Sequence, residues 1–212
     1  MERKIKNFLR PFIPQAIFNK LKVEQQKKEF KTWQKNGCSV PSPHLLKQNT
    51  IREYQKMYGY TTLVETGTFL GDMIEAQKSR FDKIISIELS IDLFNRAVQR
   101  FKNDKHITLV QGDSGKVLSK ILSDIKDPVI FWLDGHYSAG ITAKGDKDCP
   151  IYEELDAILD NNGLNHVLLI DDAKDFTGTG DYPTIEELTK YIKSRNSNYK
   201  LEVKHDIIRY VI

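Results

Sequence analysis

The sequence predicts an α/β fold: a seven-stranded sheet, mostly parallel, with an antiparallel C-terminal strand and helices on both faces. Two observations carry this expectation. From Thr50 onward, short apolar runs alternate with helical stretches, the pattern of βαβ units and a parallel sheet. At the end of the chain, Tyr199–Lys204 and Ile207–Ile212 are separated only by a turn around His205–Asp206, and two strands joined that tightly must be antiparallel.

The elements follow in order. Thr61–Glu65 (TTLVE) reads as a buried strand and Asp72–Arg80 as the helix after it. Lys83–Glu88 (KIISIE) is the second strand, and Ser90–Asn103 the second helix, with Ser90 as its N-cap. His106–Val110 is a strand and Ser114–Leu122 a helix. Pro128–Asp134 (PVIFWLD) is apolar almost throughout, as a strand in the middle of a parallel sheet must be. The helix Pro150–Asp160, the strand Asn165–Asp171 and the helix Thr184–Arg195 lead into the closing hairpin. A dinucleotide-binding domain keeps its last strand parallel, so the hairpin marks a different Rossmann-like sheet.

The chain has 212 residues, enough for one such domain with a full core and a short extension. Its 40% hydrophobic and 29% charged residues are ordinary for a soluble globular protein. No apolar run approaches the roughly 20 residues that a spanning helix needs. Met1–Lys22 has neither a long apolar centre nor a small-residue cleavage site, so it is not read as a secretory signal. The expected location is the cytoplasm. Cys38 and Cys149 sit in no CxxC or Cys/His cluster, which argues against zinc. Two reduced thiols are expected, and a disulfide between them cannot be read from spacing.

The net charge of +3 is unevenly placed. Residues 1–36 hold ten Lys/Arg and three Glu, so the remainder carries 22 basic and 26 acidic residues. A basic tail on a mildly acidic domain is not the footprint of a nucleic-acid enzyme, whose binding face would itself be basic. No nucleic-acid partner is expected. Within the tail, Ile5, Phe8, Leu9, Phe12, Ile13, Ile17, Phe18 and Leu21 lie among lysines and arginines in a helical, amphipathic pattern broken at Pro11 and Pro14. Such a segment either makes peripheral contact with an anionic membrane or packs as an arm on the domain or on a second subunit of a homo-oligomer. Gly37–Pro43 reads as a linker. The expected division is residues 1–49, extension and linker, and residues 50–212, the α/β domain.

In sheets of this kind the ligand lies beyond the carboxyl ends of the strands, near the switch in strand order. Every strand there delivers an acid to one rim: Glu65 in Glu65-Thr66-Gly67-Thr68-Phe69-Leu70-Gly71, Glu88, Asp113 in Gly112-Asp113-Ser114, Asp134 in Asp134-Gly135-His136, and Asp171-Asp172. Gly67 and Gly71 permit tight turns and close ligand approach. Their GxxxG spacing is not the GxGxxG that cradles a pyrophosphate, and Glu65 would repel a phosphate but suit a positive amino or sulfonium group. Glu88, about 20 residues past the loop, can accept both hydroxyls of a ribose. Asp113 and Ser114 fall where an adenine edge would lie, although Asp113 also suits an N-cap.

Taken together, Val64-Glu65-Thr66-Gly67 with Gly71, Glu88, Gly112-Asp113-Ser114, Leu133-Asp134-Gly135 and Ile170-Asp171-Asp172 resemble the class I S-adenosylmethionine (SAM)-dependent methyltransferases. The resemblance is strongest to the macrocin and novobiocin-type sugar O-methyltransferases and spans roughly residues 60–212. It implies SAM as cofactor, held by Glu65, Thr66, Gly67, Thr68, Gly71, Glu88, Asp113, Ser114 and Asp134. It also implies Mg²⁺ on Asp134, Asp171 and Asp172, and a hydroxyl acceptor on a sugar or other small molecule. Three converging carboxylates do call for a hard cation, and such an ion would lower the pKa of a bound hydroxyl. The family places an acid two residues past the Asp134 position; here it is His136, whose neutral imidazole can accept the hydroxyl proton. His136 and Asp134 are thus the expected catalytic pair.

Tyr137–Cys149 is long for a strand-to-helix connection and reads as an acceptor-site lid, with Lys144 and Lys147 facing a negatively charged acceptor or solvent. Asp175, in the loop Asp175–Asp181, is a further polar contact. His44, His106, His166 and His205 read as structural. Two other readings stay open: the same enzyme without a metal, and a non-catalytic scaffold of the same fold in a glycan-assembly complex.

Overall fold

The computed structural model describes residues 15–135, 147–160 and 163–212. Two helices, α1 (Gln15–Lys35) and α2 (His44–Tyr58), precede the sheet. There follow β1 (Thr62–Thr66), α3 (Asp72–Gln77), β2 (Lys83–Glu88), α4 (Ile91–Phe101), β3 (Ile107–Gln111), α5 (Ser114–Leu122) and β4 (Ile130–Leu133). The chain ends with α6 (Ile151–Leu159), β5 (Val167–Ile170), α7 (Ile185–Arg195), β6 (Lys200–Lys204) and β7 (Ile207–Val211).

The seven strands lie in the order β3-β2-β1-β4-β5-β7-β6. The first five run parallel, and β7 is antiparallel to both β5 and β6. The expected closing hairpin is therefore present, with β7 inserted between β5 and β6. His205 and Asp206 make its turn with φ of 52° and 61°, the left-handed pair that a two-residue hairpin turn requires. β1 extends one residue beyond its expected end, because Thr66 pairs with Ile87 on one side and Leu133 on the other.

Because strand side chains alternate between faces, β4 feeds two cores. Phe131 and Leu133 pack with Leu118 of α5, Leu155 of α6 and Leu188 and Ile192 of α7. Ile130 and Trp132 pack with Ile51 of α2, Ile74 of α3 and Phe101 of α4. All four β4 side chains are buried, each contributing about 1.5–3 kcal/mol. The switch point lies between β1 and β4, whose following helices cover opposite faces.

The helical character of α1 is as expected, but its face is not. Ile17, Leu21 and Val23 are exposed, whereas Gln26 is buried. Asn19, Lys22, Gln26, Phe30 and Trp33, at helical spacing, form its less accessible stripe. Asn19 Nδ2 donates to Glu75 Oε1 at 3.1 Å, Lys22 pairs with Asp72, and Trp33 meets the His205 ring edge-on. Polar bonds to α3 and a ring contact with the turn before β7 thus dock this stretch of the arm, and α2 runs continuously through residue 50. The positions before Gln15, including Pro11 and Pro14, lie outside the described residues. Among the described residues no helix is long and apolar enough to cross a membrane, and both cysteines are free thiols.

Candidate active site

The loop after β1 is stitched to β2 through its backbone. Gly67 N and Thr68 N donate to Ile87 O at 3.0 and 3.2 Å. Phe69 N donates to Glu88 Oε2 at 2.7 Å, and Ser90 N to Glu88 Oε1 at 2.8 Å. Both oxygens of Glu88 therefore accept from backbone, so this carboxylate positions the glycine loop. Those loop amides have partners inside the protein and make no phosphate cradle.

Below the loop lies a chain of three side chains. Ser86 Oγ donates to Glu65 Oε2 at 2.6 Å, and Thr68 Oγ1 lies 2.6 Å from Ser86 Oγ. A hydroxyl carries one proton, so Thr68 donates to Ser86. Glu65 is 2% exposed. Burial, followed by the charges of Asp134, Glu88 and Asp72, pushes its carboxyl up to about 8 against the Ser86 hydrogen bond. A buried acid of this kind gains most from a cationic ligand.

The two loop glycines do different work. A Cβ on Gly67, at φ +85°, would stand 2.3 Å from the Asp134 backbone oxygen, so this glycine lets β1 and β4 close at the switch point. A Cβ on Gly71 would instead meet the Phe101 ring at 2.6 Å, which makes Gly71 a packing position. Phe69, between them, is 43% exposed with φ 49°, an uncommon conformation for an aromatic residue.

At the far side of the rim, Asp113 caps α5, accepting from Gly115 N at 3.1 Å, and Ser114 is buried in the first turn. The N-cap role expected for Asp113 is thus present. Thr66, fully buried, receives Asp134 N on both its carbonyl and its Oγ1 at 3.2 Å.

Asp134, Asp171 and Asp172 converge as expected: one oxygen from each lies within 4.8 Å of the others. Among them sits a residue that the sequence reading missed. Lys47, from the first turns of α2, places Nζ 2.5 Å from Asp171 Oδ2 and 3.5 Å from Asp172 Oδ1. Burial works against its ammonium, but Asp171, Asp134 and Asp172 outweigh burial and hold the lysine pKa above its ordinary value. Asp171 is fully buried, and its Oδ1 accepts from Asp172 N at 2.9 Å. Burial and then Asp134 push its carboxyl up, with Lys47 pulling the other way. Lys174 adds a second cation, 3.0 Å from Asp172 Oδ1, and also pairs with Asp175 at 3.1 Å.

Of these groups, Asp134 and Lys47 reach a cavity of about 340 Å³ that is also lined by Glu65, Gly67, Thr68, Phe69, Asp72 and Trp132 from the domain, and by Lys22, Gln26, Glu29 and His44 from α1 and α2. Two further residues were thus not legible as site residues. Asp72 is held by Lys22 and by Arg100 at 3.0 Å. His44, read from sequence as structural, lines the cavity, and burial lowers its pKa, which favours the neutral imidazole. His166 does play the expected structural part: its Nδ1 accepts from Val129 N at 3.1 Å between β4 and β5. His136 and Lys144, with most of the expected lid, lie outside the described residues. Lys147, at its end, pairs with Glu153.

No family model and no curated protein matches the sequence. Solved structures do match in shape. An O-methyltransferase from Bacillus cereus in complex with S-adenosylhomocysteine (SAH) superposes with a TM-score of 0.57 at 12% identity, over 99% of this chain and 97% of that one. TomG, an O-methyltransferase of tomaymycin synthesis from Streptomyces achromogenes in complex with SAM, gives 0.54 at 11%, over 88% of each chain. The N-methyltransferase NodS from Bradyrhizobium japonicum gives 0.52 at 13%, over 78% of this chain and 93% of that one. The strand order, the inserted antiparallel β7 and these superpositions together show that the chain has the Rossmann-like fold of the class I SAM-dependent methyltransferases.

Proposed function

We propose that this protein transfers a methyl group from SAM to a hydroxyl oxygen of a small molecule, of which a sugar or glycoside is the class the sequence resemblance favours. One observation carries the reading: buried Glu65 lines the cavity with Gly67 and Asp134, and Glu88, at the neighbouring strand end, fixes the loop between them through Phe69 N. In this reading Glu65 and the Gly67–Thr68 backbone hold the methionine part, Glu88 the ribose, and Asp113 and Ser114 the adenine region. The acceptor enters the cavity between the loop and α1. The acceptor oxygen attacks the methyl carbon, the S–CH₃ electron pair stays on sulfur, and His136 takes the hydroxyl proton. Holding oxygen, carbon and sulfur in line supplies most of the acceleration.

The Mg²⁺ implied by the resemblance needs a separate test of fit. The donor set Asp134, Asp171 and Asp172 suits a hard dication. The arrangement does not, because the Lys47 ammonium already sits among the carboxylates, paired with Asp171 and 3.5 Å from Asp172 Oδ1. No step is therefore assigned to a metal.

Isothermal titration with SAH tests the cofactor assignment: saturable one-to-one binding is expected, and an absence of heat would leave the scaffold reading in its place. Titration with SAM carries a pH signature. Glu65 is largely neutral below about pH 8 in the free protein, and a bound cation favours its carboxylate. Binding should therefore release a proton, and affinity should rise between about pH 6 and 7.5 by up to roughly tenfold per unit. Glu65→Gln should abolish this slope; a slope unchanged in that variant would show that Glu65 does not face the ligand's charge.

A further inference from the structure

We propose that Lys47 is the resident cation of the β4–β5 rim: it takes the place that a divalent ion would hold and presents its ammonium to the acceptor oxygen. Three observations support this. Its Nζ reaches two of the three converging carboxylates, Asp171 and Asp172, and an oxygen of the third, Asp134, lies within 4.8 Å of one oxygen from each of them. The lysine side chain is only 15% exposed and Asp171 is not exposed at all, so this is not a surface ion pair. Asp171, the buried member of the set, accepts on both oxygens: Oδ1 from the Asp172 amide and Oδ2 from Lys47.

Charge and donor geometry lead to the same conclusion. Among the described residues, Lys47 pairs with Asp171 and Asp172, and Lys174 pairs with Asp172 as well as with Asp175. A dication placed there would sit against an ammonium on a shared ligand and be repelled by it. An ammonium has three N–H donors; Asp171 and Asp172 use two, and the third is left for a ligand oxygen in the cavity that Lys47 lines. Lys47 comes from α2, and the arm helix α1 forms the same wall through Lys22 and Gln26. The segment ahead of the sheet is therefore part of the site. The contact with the acceptor rests on the methyl-transfer reading; the cation assignment does not.

The test is a titration of the full chain with Mn²⁺, followed by the loss of the free-ion electron paramagnetic resonance signal. It is run on wild type and on Lys47→Ala, with SAH calorimetry on the same samples with and without EDTA. Wild type should leave the Mn²⁺ signal unchanged through the micromolar range. Removing the lysine should open the site and tighten Mn²⁺ binding roughly tenfold or more. SAH binding to wild type should be indifferent to EDTA. Stoichiometric micromolar Mn²⁺ binding by wild type, lost in Asp171→Asn, would overturn the proposal, and so would a folded Lys47→Ala that binds Mn²⁺ no better than wild type. Should that variant fail to fold by circular dichroism, the wild-type titration decides alone. A failure of SAH to bind, with the Mn²⁺ outcomes as expected, would remove the methyltransferase reading and leave the cation assignment standing.

Discussion

Gly67→Ala is expected to weaken SAH binding by about 100-fold or more, with the sheet still folded. The alanine methyl would lie 2.3 Å from the Asp134 carbonyl oxygen and 2.9 Å from its carbon. Both are backbone atoms in the segment that leaves β4, so no side-chain rotation relieves the clash. The loop and the end of β4 must separate, breaking the pair of 3.2 Å bonds from Asp134 N to Thr66. Glu65, Asp134 and the Gly67–Thr68 backbone then no longer face one cavity. The left-handed φ of +85° adds about 1–2 kcal/mol of local strain. Gly71→Ala is the control. It has a similar φ of +74°, but its new methyl meets the Phe101 ring, a side chain that can shift. Its effect should fall on the thermal midpoint and far less on affinity. Calorimetry with SAH on both variants checks the contrast; wild-type affinity in Gly67→Ala would show that the ligand does not depend on the β1–β4 closure.

That contrast also shows what a sequence can and cannot express. The GxxxG spacing marked a tight turn, but not which glycine serves the cavity and which serves the core, because this depends on what stands opposite each one. The rim acids were legible because strand ends follow from apolar runs, and all ends of a parallel sheet point one way. The hairpin was legible because the turn at His205 and Asp206 leaves no room for a crossover between the two strands. Lys47 was not. It touches Asp171 across 124 residues of chain, and it stands in a helix with only four fully buried residues, Gln48, Thr50, Ile51 and Tyr54, two of them polar. The packed stripe of α1 was hidden for the same reason: Asn19 and Lys22 bind through polar pairs and Gln26 is buried, while Ile17, Leu21 and Val23, which periodicity counts, are exposed. Where polar pairing does the docking, hydrophobic pattern loses its signal.

Lys47→Met should cost about 3–5 kcal/mol of folding stability, the usual consequence of removing one partner of a buried ion pair. Methionine fills the same volume, so the loss reflects charge rather than a cavity. Asp171 is the group left exposed to that loss of charge: it is fully buried, and Asp134 and Asp172 both add to its burden once the ammonium is gone. Asp172 is better protected, because Lys174 stays 3.0 Å from its Oδ1. The second substitution is therefore specific. Asp171→Asn in the Lys47→Met background should recover about 2 kcal/mol or more, whereas Asp172→Asn should recover little. Urea unfolding midpoints at constant m-value measure all four proteins. A single Lys47→Met variant within about 0.5 kcal/mol of wild type would place the lysine among ordinary surface charges and out of the rim. The predicted coupling between residues 47 and 171 ties α2 to the β4–β5 edge: the interaction that offsets the charge of the rim also fixes α2 over it, so a site of this design is complete only when the segment preceding the sheet is in place.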